Sequence, residues 1–375
     1  MGTGAAAVDA PTTPHTIPLL RVAGSHREVG LQLGDAGAEQ IARSIESAFA
    51  DLPAGRTLEQ QRALAAEYRA FTEPRLPWLI EELDGVADGA GVDRMDAFAA
   101  SMEELWYPPY GATQGRCSDI VAGPTATADG HLLIGHNNDL GPGTEPMITA
   151  IERTIPGEPV TFQLGGIPWL SVGWNSAGLS LTGNELSPND ERVGISRSHQ
   201  VLEMIQRSRT LDEMVRAALR PDRASSYNNV LASADGSVAN VEGSATDAEV
   251  TSPDERGHLV HTNHYASERM RPFEGDPDYA VRSDVRMCRA RDLLAASEPG
   301  SVTHKDLRTM LSDHENPPNE VCRHPEWGHP ESKTVFWCVA DVTEGRITYG
   351  RGNPCDSVEQ EYVFAEYPGR EASAA

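Results

Sequence analysis

Residues 117 to 139 read CSDIVAGPTATADGHLLIGHNND, with short apolar runs on either side of the pair Asp129-Gly130. This combination is typical of a β-hairpin with a tight turn. A hairpin returns its second strand to within hydrogen-bonding distance of its first, so we expect Asp139 to lie close to Cys117. The stretch therefore predicts a thiol beside a carboxylate.

Cys117 is the candidate nucleophile. A cysteine chosen at random is more often a buried apolar thiol, and that reading is the alternative here. The neighbours of Cys117, in GRCSD, are small and polar, whereas a structural cysteine more often has apolar neighbours. The residue also stands where the helical pattern of the first part of the chain gives way to a strand pattern. Both features favour the catalytic interpretation.

The residues before the hairpin have helical periodicity. Ile41, Ile45 and Ala48 recur at steps of three and four residues and so share one helix face. Thr57 with Gln60 has the form of a capping box, which marks the start of a helix. The pattern predicts a largely α-helical segment. Further apolar stripes occupy residues 64 to 71, 79 to 90 and 96 to 106.

From the hairpin onward, short apolar runs alternate with Gly, Asn and Asp. Asp235-Gly236 predicts a second hairpin, while helices return at residues 198 to 219 and 303 to 312. Residues 251 to 280 are rich in Pro and acidic side chains and are expected to form long surface loops. Strand runs interrupted by helix pairs predict an α+β fold of two sheets covered by helices. Other strand candidates are MITAIERTI, PVTFQL, GLSLTG, HLVHTN, TVFWCVAD and GRITYG.

Composition excludes several classes of function. Lys and Arg number 31 against 56 Asp and Glu, and the resulting net charge of −25 argues against binding nucleic acid or an anionic membrane. The two lysines, Lys305 and Lys333, do not follow Gly as a phosphate-binding loop requires. No apolar run approaches the roughly 20 residues of a membrane span, and no secretion signal is recognised. We therefore expect a cytoplasmic protein with no membrane partner.

Metal binding is not expected from the sequence. The five cysteines are widely spaced and form no C-x-x-C pair, which argues against a structural zinc site and a disulfide scaffold. His261 and His264 form H-x-x-H, but strand alternation would direct them to opposite faces. His324 and His329 lie five residues apart and are not expected to bind a metal.

Seven segments, in order, resemble the acyl-coenzyme A:6-aminopenicillanic acid acyltransferase-like cysteine peptidases (peptidase C45), within the N-terminal nucleophile (Ntn) hydrolases. The resemblance implies an αββα sandwich of two antiparallel sheets between helix layers, preceded by a helical segment. The segments are GSHREVGLQLG (24 to 34), EELDGVADGAGV (81 to 92), the hairpin stretch, GWNSAGLSLTGNEL (173 to 186), HTNHY (261 to 265), LSDHENPPNEVCRHPE (311 to 326), and TVFWCVAD with GNPC (334 to 355).

The resemblance further implies a precursor that cuts itself between Arg116 and Cys117. The products would be a chain of residues 1 to 116 and a chain of residues 117 to 375, held together as one globular unit. The thiol of Cys117 would attack the carbonyl of Arg116, and water would open the resulting thioester. The new α-amine, with an ordinary pKa of about 7.7 to 8.0, can then take the proton of its own thiol.

Site roles also follow from the resemblance. Asp139 is expected to orient the α-amine, and Asn263 to stabilise the oxyanion through its side-chain amide. The backbone around Gly183 and Asn184 is a possible second oxyanion donor. The other residues expected to line the substrate site are His136, His264 and Trp337.

Three positions depart from the family pattern. Arg116 stands where the family has Gly, and its bulk is expected to slow cleavage because Gly alone is free of the Cβ restriction. Trp337 replaces a small hydroxyl residue, so a penicillin-type substrate is not implied. His136 stands where bile salt hydrolases, more distant relatives, have Arg, so their acidic substrates are not implied either.

The expected activity is acyl transfer from Cys117 to an amine or to water, on a small specialised metabolite. The expected partners are an amide, amine or acyl-thioester substrate and possibly a second copy of the chain. No resident cofactor is expected, although acyl-CoA could serve as a co-substrate. Two alternatives remain open, namely a non-catalytic binding or scaffold protein and an unprocessed cysteine hydrolase with His264 as base.

Overall fold

The structure is a computed structural model that describes residues 7–9, 15–50, 52, 55–106, 116–167 and 169–368. Its helices are α1 (His26–Ala50), α2 (Leu58–Thr72), α3 (Pro77–Ala90), α4 (Arg94–Ala100), α5 (Glu103–Trp106), α6 (Arg197–Arg207), α7 (Leu211–Ala218), α8 (Pro277–Ala295) and α9 (His304–Leu311).

The strands are β1 (Ala7–Asp9), β2 (Leu19–Ala23), β3 (Arg116–Ala122), β4 (Leu133–Leu140), β5 (Thr149–Thr154), β6 (Thr161–Gly165), β7 (Leu170–Asn175), β8 (Leu179–Asn184), β9 (Asn228–Ser233), β10 (Val238–Gly243), β11 (Ala248–Thr251), β12 (His258–His261), β13 (Lys333–Asp341), β14 (Arg346–Arg351) and β15 (Gln360–Val363).

Within the described residues the strands form two sheets. The first sheet has nine strands in the order β1-β2-β5-β6-β7-β8-β9-β10-β11, and the second has six in the order β12-β3-β4-β13-β14-β15. Apolar side chains from both sheets meet in one core, with Phe162 and Trp174 from the first and Ile134 and Phe336 from the second. The sheets therefore pack face to face.

Helices cover the outer face of each sheet. On the second sheet, Ile120 and Leu133 contact Met287 of α8 and Leu307 and Leu311 of α9. On the first sheet, the outer face packs against the N-terminal helices together with α6 and α7. The arrangement is the expected αββα sandwich, and the N-terminal helices share their core with the rest of the chain. No helix in the described part of the chain is both long and apolar enough to span a membrane.

Both predicted hairpins are present. β3 and β4 pair across the turn at Asp129-Gly130, and β9 and β10 pair across the turn at Asp235-Gly236. Gly130 has φ of +78° and Gly236 has φ of +92°, a backbone region that glycine adopts without a Cβ penalty. The predicted capping box at Thr57 and Gln60 is also formed at the start of α2.

The segment before residue 116 is largely helical, as expected, and it also contributes β1 and β2 to the first sheet. Strand β2 pairs in parallel with β5, which is an exception to the expected antiparallel sheets. At five residues, β2 is too short to show a clear period. The expectation of long surface loops over 251 to 280 is wrong in part, because this stretch contains β12 and the start of α8. The buried face of α8 includes the polar residues Ser283 and Arg286, which interrupt its apolar pattern.

Helices α1 and α3 approach closely through glycines. Gly30 and Gly34 of α1 lie against the backbone of α3, and Gly85 and Gly89 of α3 lie against the backbone of α1. A Cβ added at Gly30 would lie 2.0 Å from the backbone oxygen of Glu82, far inside the roughly 3.5 Å at which non-bonded atoms meet. Glycine at these positions therefore lets the two helices pack backbone to backbone.

We expect Gly30→Ala to destabilise the fold by about 1 to 3 kcal/mol or more, because the helices must separate to admit the methyl group. Thermal or urea unfolding measures this change. Gly143→Ala is the matched control, since no described atom lies within 4 Å of a Cβ added there. Equal loss of stability in the two variants would contradict this view of the helix pair.

Candidate active site

Cys117 lies on β3 in the middle of the sandwich. In the β3–β4 pairing Cys117 is opposite Asn138, and Arg116 is opposite Asp139. Side chains alternate along a strand, so Asn138 and Asp139 project to opposite faces of the hairpin. The Cys117 thiol shares a cavity with Asn138, whereas Asp139 lies on the face that α8 covers. The carboxylate is therefore placed near the backbone of Cys117 rather than in the cavity that the thiol lines.

The thiol is in an environment that keeps it protonated. Cys117 is 6% exposed, and burial is the largest cause that raises the pKa of its thiol well above the ordinary value. The negative charges of Asp139 and Asp119 raise the pKa further. In the uncut chain the thiol is consequently neutral, and a base must be supplied beside it before it can act as a thiolate.

The backbone of Cys117 is held by two buried side chains. Its N–H donates to Oδ1 of Asn263 at 2.7 Å, and its carbonyl oxygen accepts from Nη1 of Arg286 at 3.1 Å. Arg286 Nη2 also donates to Asn263 Oδ1, at 2.9 Å. The Asn263 amide nitrogen donates to the backbone oxygen of Glu185 at 3.1 Å. Asn263 therefore presents its oxygen, and not its amide, to the backbone nitrogen of Cys117.

Asp139 is fully buried between cationic and hydroxyl groups. Its Oδ1 accepts a hydrogen bond of 2.7 Å from Thr334 Oγ1, and its Oδ2 lies 3.7 Å from Arg286 Nη1. Burial raises the pKa of Asp139, and the charges of Arg286 and Arg323 and the Thr334 hydrogen bond only partly offset this rise. Within the described residues Asp139 Oδ2 has no hydrogen-bond partner. Asp139 Oδ2 is thus able to accept a hydrogen bond from a donor group close to Cys117.

A small cavity adjoins the thiol. Asn138 Nδ2 lies 3.5 Å from Cys117 Sγ and donates to Ser171 Oγ at 2.5 Å. The wall opposite the hairpin comes from the first sheet, α6 and the loop between them. The lining residues are Glu103, Cys117, Asn138, Leu140, Trp169, Leu170, Ser171, Leu181, Gly183, Asn184, Glu185, Val201, Tyr227 and Asn229.

Asn184 is among the residues that line this cavity. Its Oδ1 accepts from Asn228 Nδ2 at 3.1 Å and lies 3.0 Å from His261 Nδ1. Its Nδ2 is buried and has no partner in the described part of the chain. The amide of Asn184 is therefore a candidate donor beside the cavity, and the backbone donor expected from the sequence stays a prediction.

The three other residues expected to line the substrate site do not line this cavity. His136 is fully buried on the second sheet and lies 2.9 Å from Asp119 Oδ1. Trp337 is on the face that α8 and α9 cover, and its Nε1 donates to Ser357 Oγ. His264 lies 3.0 Å from Ser283 Oγ. His136 is on the same hairpin face as Asn138 but lies further along β4, opposite Asp119 rather than Cys117. Strand alternation directs Trp337 to the other face, and the turn after β12 directs His264 toward α8.

The H-x-x-H pair was expected to point in opposite directions, and this is wrong. The rings of His261 and His264 stack with centroids 6.3 Å apart, because β12 ends at His261 and strand alternation stops there. His261 Nε2 lies 2.7 Å from Glu242 Oε1. Burial alone would raise the pKa of Glu242, but the hydrogen bonds from His261 and Ser267 lower it to about 2.

Sequence reasoning missed the buried cation of the site. Arg286 contacts Cys117, Asn263 and Asp139 from α8, a helix that the sequence reading did not identify. The available signal was the spacing of Tyr279, Ser283, Met287 and Ala290, which fits one helix face. Only the backbone of Arg116 is described, paired with Asp139 of β4, so the expected effect of its side chain on cleavage lies outside the described structure.

The chain matches a known protein family over much of its length. Residues 125–356 match the family model described as acyl-coenzyme A:6-aminopenicillanic acid acyl-transferase. The matched region is more than half of the chain; it begins after Cys117 and includes Asp139, Asn184 and Asn263. No curated protein gives a significant sequence match.

Several solved structures are similar at low identity. A Caenorhabditis elegans N-acylethanolamine-hydrolyzing acid amidase ortholog is 17% identical over 60% of this chain and 93% of its own, with a TM-score of 0.42. A conjugated bile acid hydrolase from Clostridium perfringens is 13% identical over 69% and 100%, with a TM-score of 0.45. Penicillin V acylase from Agrobacterium tumefaciens is 13% identical over 68% and 80%, with a TM-score of 0.41.

Proposed function

The chain belongs to the acyl-coenzyme A:6-aminopenicillanic acid acyl-transferase family, and from this premise we propose that it is a self-processing cysteine acyltransferase or amide hydrolase with Cys117 as nucleophile. The observation that carries the proposal is the 2.7 Å hydrogen bond between the backbone nitrogen of Cys117 and Asn263 Oδ1. A structural cysteine has no need of a side chain that fixes its backbone nitrogen. A terminal nucleophile does, since that nitrogen becomes its base.

The proposed cleavage is an N-to-S acyl shift followed by hydrolysis. The Cys117 sulfur attacks the carbonyl carbon of Arg116, the peptide C–N bond breaks, and the thiol proton ends on the departing nitrogen. Water then opens the thioester, releasing the Arg116 carboxylate and restoring the thiol. The nitrogen remains next to Asn263 Oδ1 throughout, so the freed α-amine is already oriented.

In the proposed catalytic cycle the α-amine of Cys117 takes the proton of the thiol. The thiolate attacks the acyl carbon of the substrate, and the leaving amine or thiol receives that proton. Asn184 Nδ2 and Asn138 Nδ2 are the candidate oxyanion donors, because both residues line the cavity, Asn138 Nδ2 lies 3.5 Å from the thiol and Asn184 Nδ2 has no partner in the described residues. Removal of one such donor typically costs about 100- to 1,000-fold in rate.

Asp139 and Arg286 have supporting roles in this proposal. The carboxylate of Asp139 balances the positive charge that the α-amine acquires when it accepts the thiol proton. Arg286 is a positioning residue, since it holds both the Cys117 carbonyl and the Asn263 oxygen that orient the amine. The two groups lie on the same face of the hairpin and act on the backbone of the nucleophile.

The cavity favours an apolar acyl group. Leu140, Leu170, Leu181 and Val201 form most of its apolar wall, with Trp169 beside them. We propose as substrates small amides or thioesters with an apolar acyl chain, of the kind made in specialised metabolism. Water as acceptor gives hydrolysis, and an amine gives transfer. A panel of N-acyl amides of increasing chain length, each assayed with and without added amine acceptors, tests this proposal.

The histidine-assisted alternative has little support. No histidine is among the described residues that line the cavity, and the ring of His264 is engaged with Ser283. Burial, with the nearby charge of His261, lowers the pKa of His264 to about 4. If a histidine were nevertheless the base, His264→Ala would abolish activity in an uncut chain. We expect His264→Ala to leave both cleavage and turnover within about tenfold of wild type.

The rate should depend on the ionisation of Asp139. Burial raises the pKa of Asp139 above the ordinary 3.8, so this carboxyl takes up a proton at a higher pH than an exposed carboxyl does. As the pH falls through the pKa of Asp139, kcat/KM should therefore fall. Thr334→Val removes a hydrogen bond that lowers this pKa, so the midpoint should rise by about one pH unit. If the fall of kcat/KM at low pH had the same midpoint in Thr334→Val as in wild type, Asp139 would not be the group that titrates. Asp139→Asn should remove this fall from the pH profile.

A further inference from the structure

Four potential metal ligands meet at the end of the second sheet, away from the thiol cavity. Cys322 and His324 lie in the loop between α9 and β13, and Cys355 follows β14. His314, at the start of the same loop, completes the group, and one ligand atom from each residue lies within 4.8 Å of all the others. This site could not be predicted from residue spacing, since Cys355 is distant in the chain and no C-x-x-C pair is present.

Three of the distances match those of a tetrahedral zinc centre. The two sulfur atoms of Cys322 and Cys355 are 3.8 Å apart. His324 Nε2 is 3.5 Å from the sulfur of Cys322 and 3.6 Å from that of Cys355. With Zn–S bonds of about 2.3 Å and Zn–N bonds of about 2.05 Å, tetrahedral angles require roughly 3.8 Å between sulfurs and roughly 3.6 Å between sulfur and nitrogen.

The surrounding groups are those that a metal site requires. Asn353 Nδ2 lies 3.4 Å from the sulfur of Cys322, as a donor to a bound thiolate would. The other ring nitrogen of His324, Nδ1, lies 3.5 Å from Glu326 Oε1. A carboxylate on Nδ1 fixes the tautomer that leaves Nε2 free to coordinate, and Nε2 is the atom that faces the sulfurs.

His314 is the outermost member of the group. It is exposed, and its ring packs edge-on against His324 and Trp327 at 5.0 and 4.8 Å between centroids. A small rotation of this side chain would complete a Cys₂His₂ set. The other histidine of this loop, His329, is engaged with Glu320 and the Ser332 carbonyl and does not take part.

We propose that Cys322, Cys355, His324 and His314 bind one structural Zn²⁺. Two thiolates with two imidazoles select zinc over the hard cations, and a full set of four protein ligands is typical of a structural rather than a catalytic ion. The ion would join the loop after α9 to the segment after β14. It is independent of the proposed reaction, which needs no metal.

The zinc loop also reaches the candidate active site. Asn137 of β4 donates to the Val321 carbonyl at 2.9 Å, and the Arg323 N–H donates to Thr334 Oγ1 at 3.0 Å. Thr334 in turn donates to Asp139. Fixing Cys322 on a metal therefore fixes the two backbone groups on either side of it, the Val321 carbonyl and the Arg323 N–H, which support the hairpin and, through Thr334, the Asp139 carboxylate.

Metal content of the purified full-length protein tests the proposal. Elemental analysis should find about one zinc per chain, and replacing zinc with Co²⁺ should give the visible absorption of a tetrahedral thiolate site. Cys355→Ser and His324→Ala should each lose most of the zinc, whereas Cys288→Ser, which changes an exposed thiol elsewhere, should retain it. Strong chelators should lower the melting temperature of wild type by several degrees and leave Cys355→Ser unaffected.

Two results would overturn the proposal. One is folded wild-type protein with less than about a tenth of a zinc per chain after growth and purification with added zinc. The other is a Cys322–Cys355 disulfide in protein kept reducing, seen as a mass about 2 Da lower and as thiols that resist alkylation. Because Cys355 is exposed, its variant should fold, and loss of zinc without loss of structure would place the ion at this site.

Discussion

A Cys117→Ala variant is expected to fold normally and to lose acyl transfer and amide hydrolysis by at least about 1,000-fold, because the proposed acyl-enzyme forms on the Cys117 sulfur. The side chain is buried and small, so its replacement by alanine leaves the sandwich core almost unchanged. The measurement is turnover of the N-acyl amide panel, with far-UV circular dichroism to establish folding. The variant should also remain a single chain.

Thiol labelling separates this enzyme from a non-catalytic scaffold. An electrophilic acylating reagent should modify Cys117 of the wild type, as read by peptide mass. Cys288 is the control, since it is exposed and carries no proposed role. Labelling of Cys288 without labelling of Cys117 in folded protein would favour a scaffold that retains the fold but not the chemistry.

Asn263→Ala is expected to lower kcat/KM by about 100-fold, because the α-amine loses its orientation. The substitution removes the oxygen that accepts from the Cys117 nitrogen at 2.7 Å and leaves Arg286 without one of its acceptors. The α-amine would then lack its orientation toward the thiol. Because the loss of a buried hydrogen-bond acceptor also costs stability, the melting temperature must be measured beside the rate.

Asn263→Asp distinguishes two ways in which this side chain could act. The family resemblance assigns its amide to the oxyanion, whereas the structure directs its oxygen at the Cys117 nitrogen and its amide at Glu185. Aspartate keeps the oxygen and removes the amide. We expect it to retain at least about tenfold more activity than Asn263→Ala, with a higher pKa for the adjacent α-amine in the pH profile. Equal losses in the two variants would return the role to oxyanion stabilisation.

The parts of the fold that the sequence predicts correctly are those with a local cause. The turn at Asp129-Gly130 and the capping box at Thr57 depend on residues within a few positions of each other. The strand β2 was missed because its pairing with β5 is decided by residues far away in the chain. Local patterns therefore predict the layers of the sandwich but not every strand within them.

The candidate site also has residues whose positions follow from local sequence and residues whose positions do not. Cys117 and Asp139 could be placed together because one hairpin carries both. Arg286 could not, since it lies on a buried helix face that is polar where the sequence rule expects apolar residues. The proximity of Cys355 to Cys322 likewise depends on the pairing of β13 with β14 and on the loop after α9, which no spacing rule describes.

The most direct test of self-processing at Cys117 is the intact mass of the purified wild-type protein. By proportion of the 40.5 kDa total, cleavage before Cys117 predicts two pieces of about 12.5 and 28 kDa, the larger with Cys117 as its first residue. Arg116→Gly should speed the appearance of these pieces if the bulk of Arg116 slows the acyl shift. A wild type that remains a single 40.5 kDa chain under conditions in which it is folded would contradict the account.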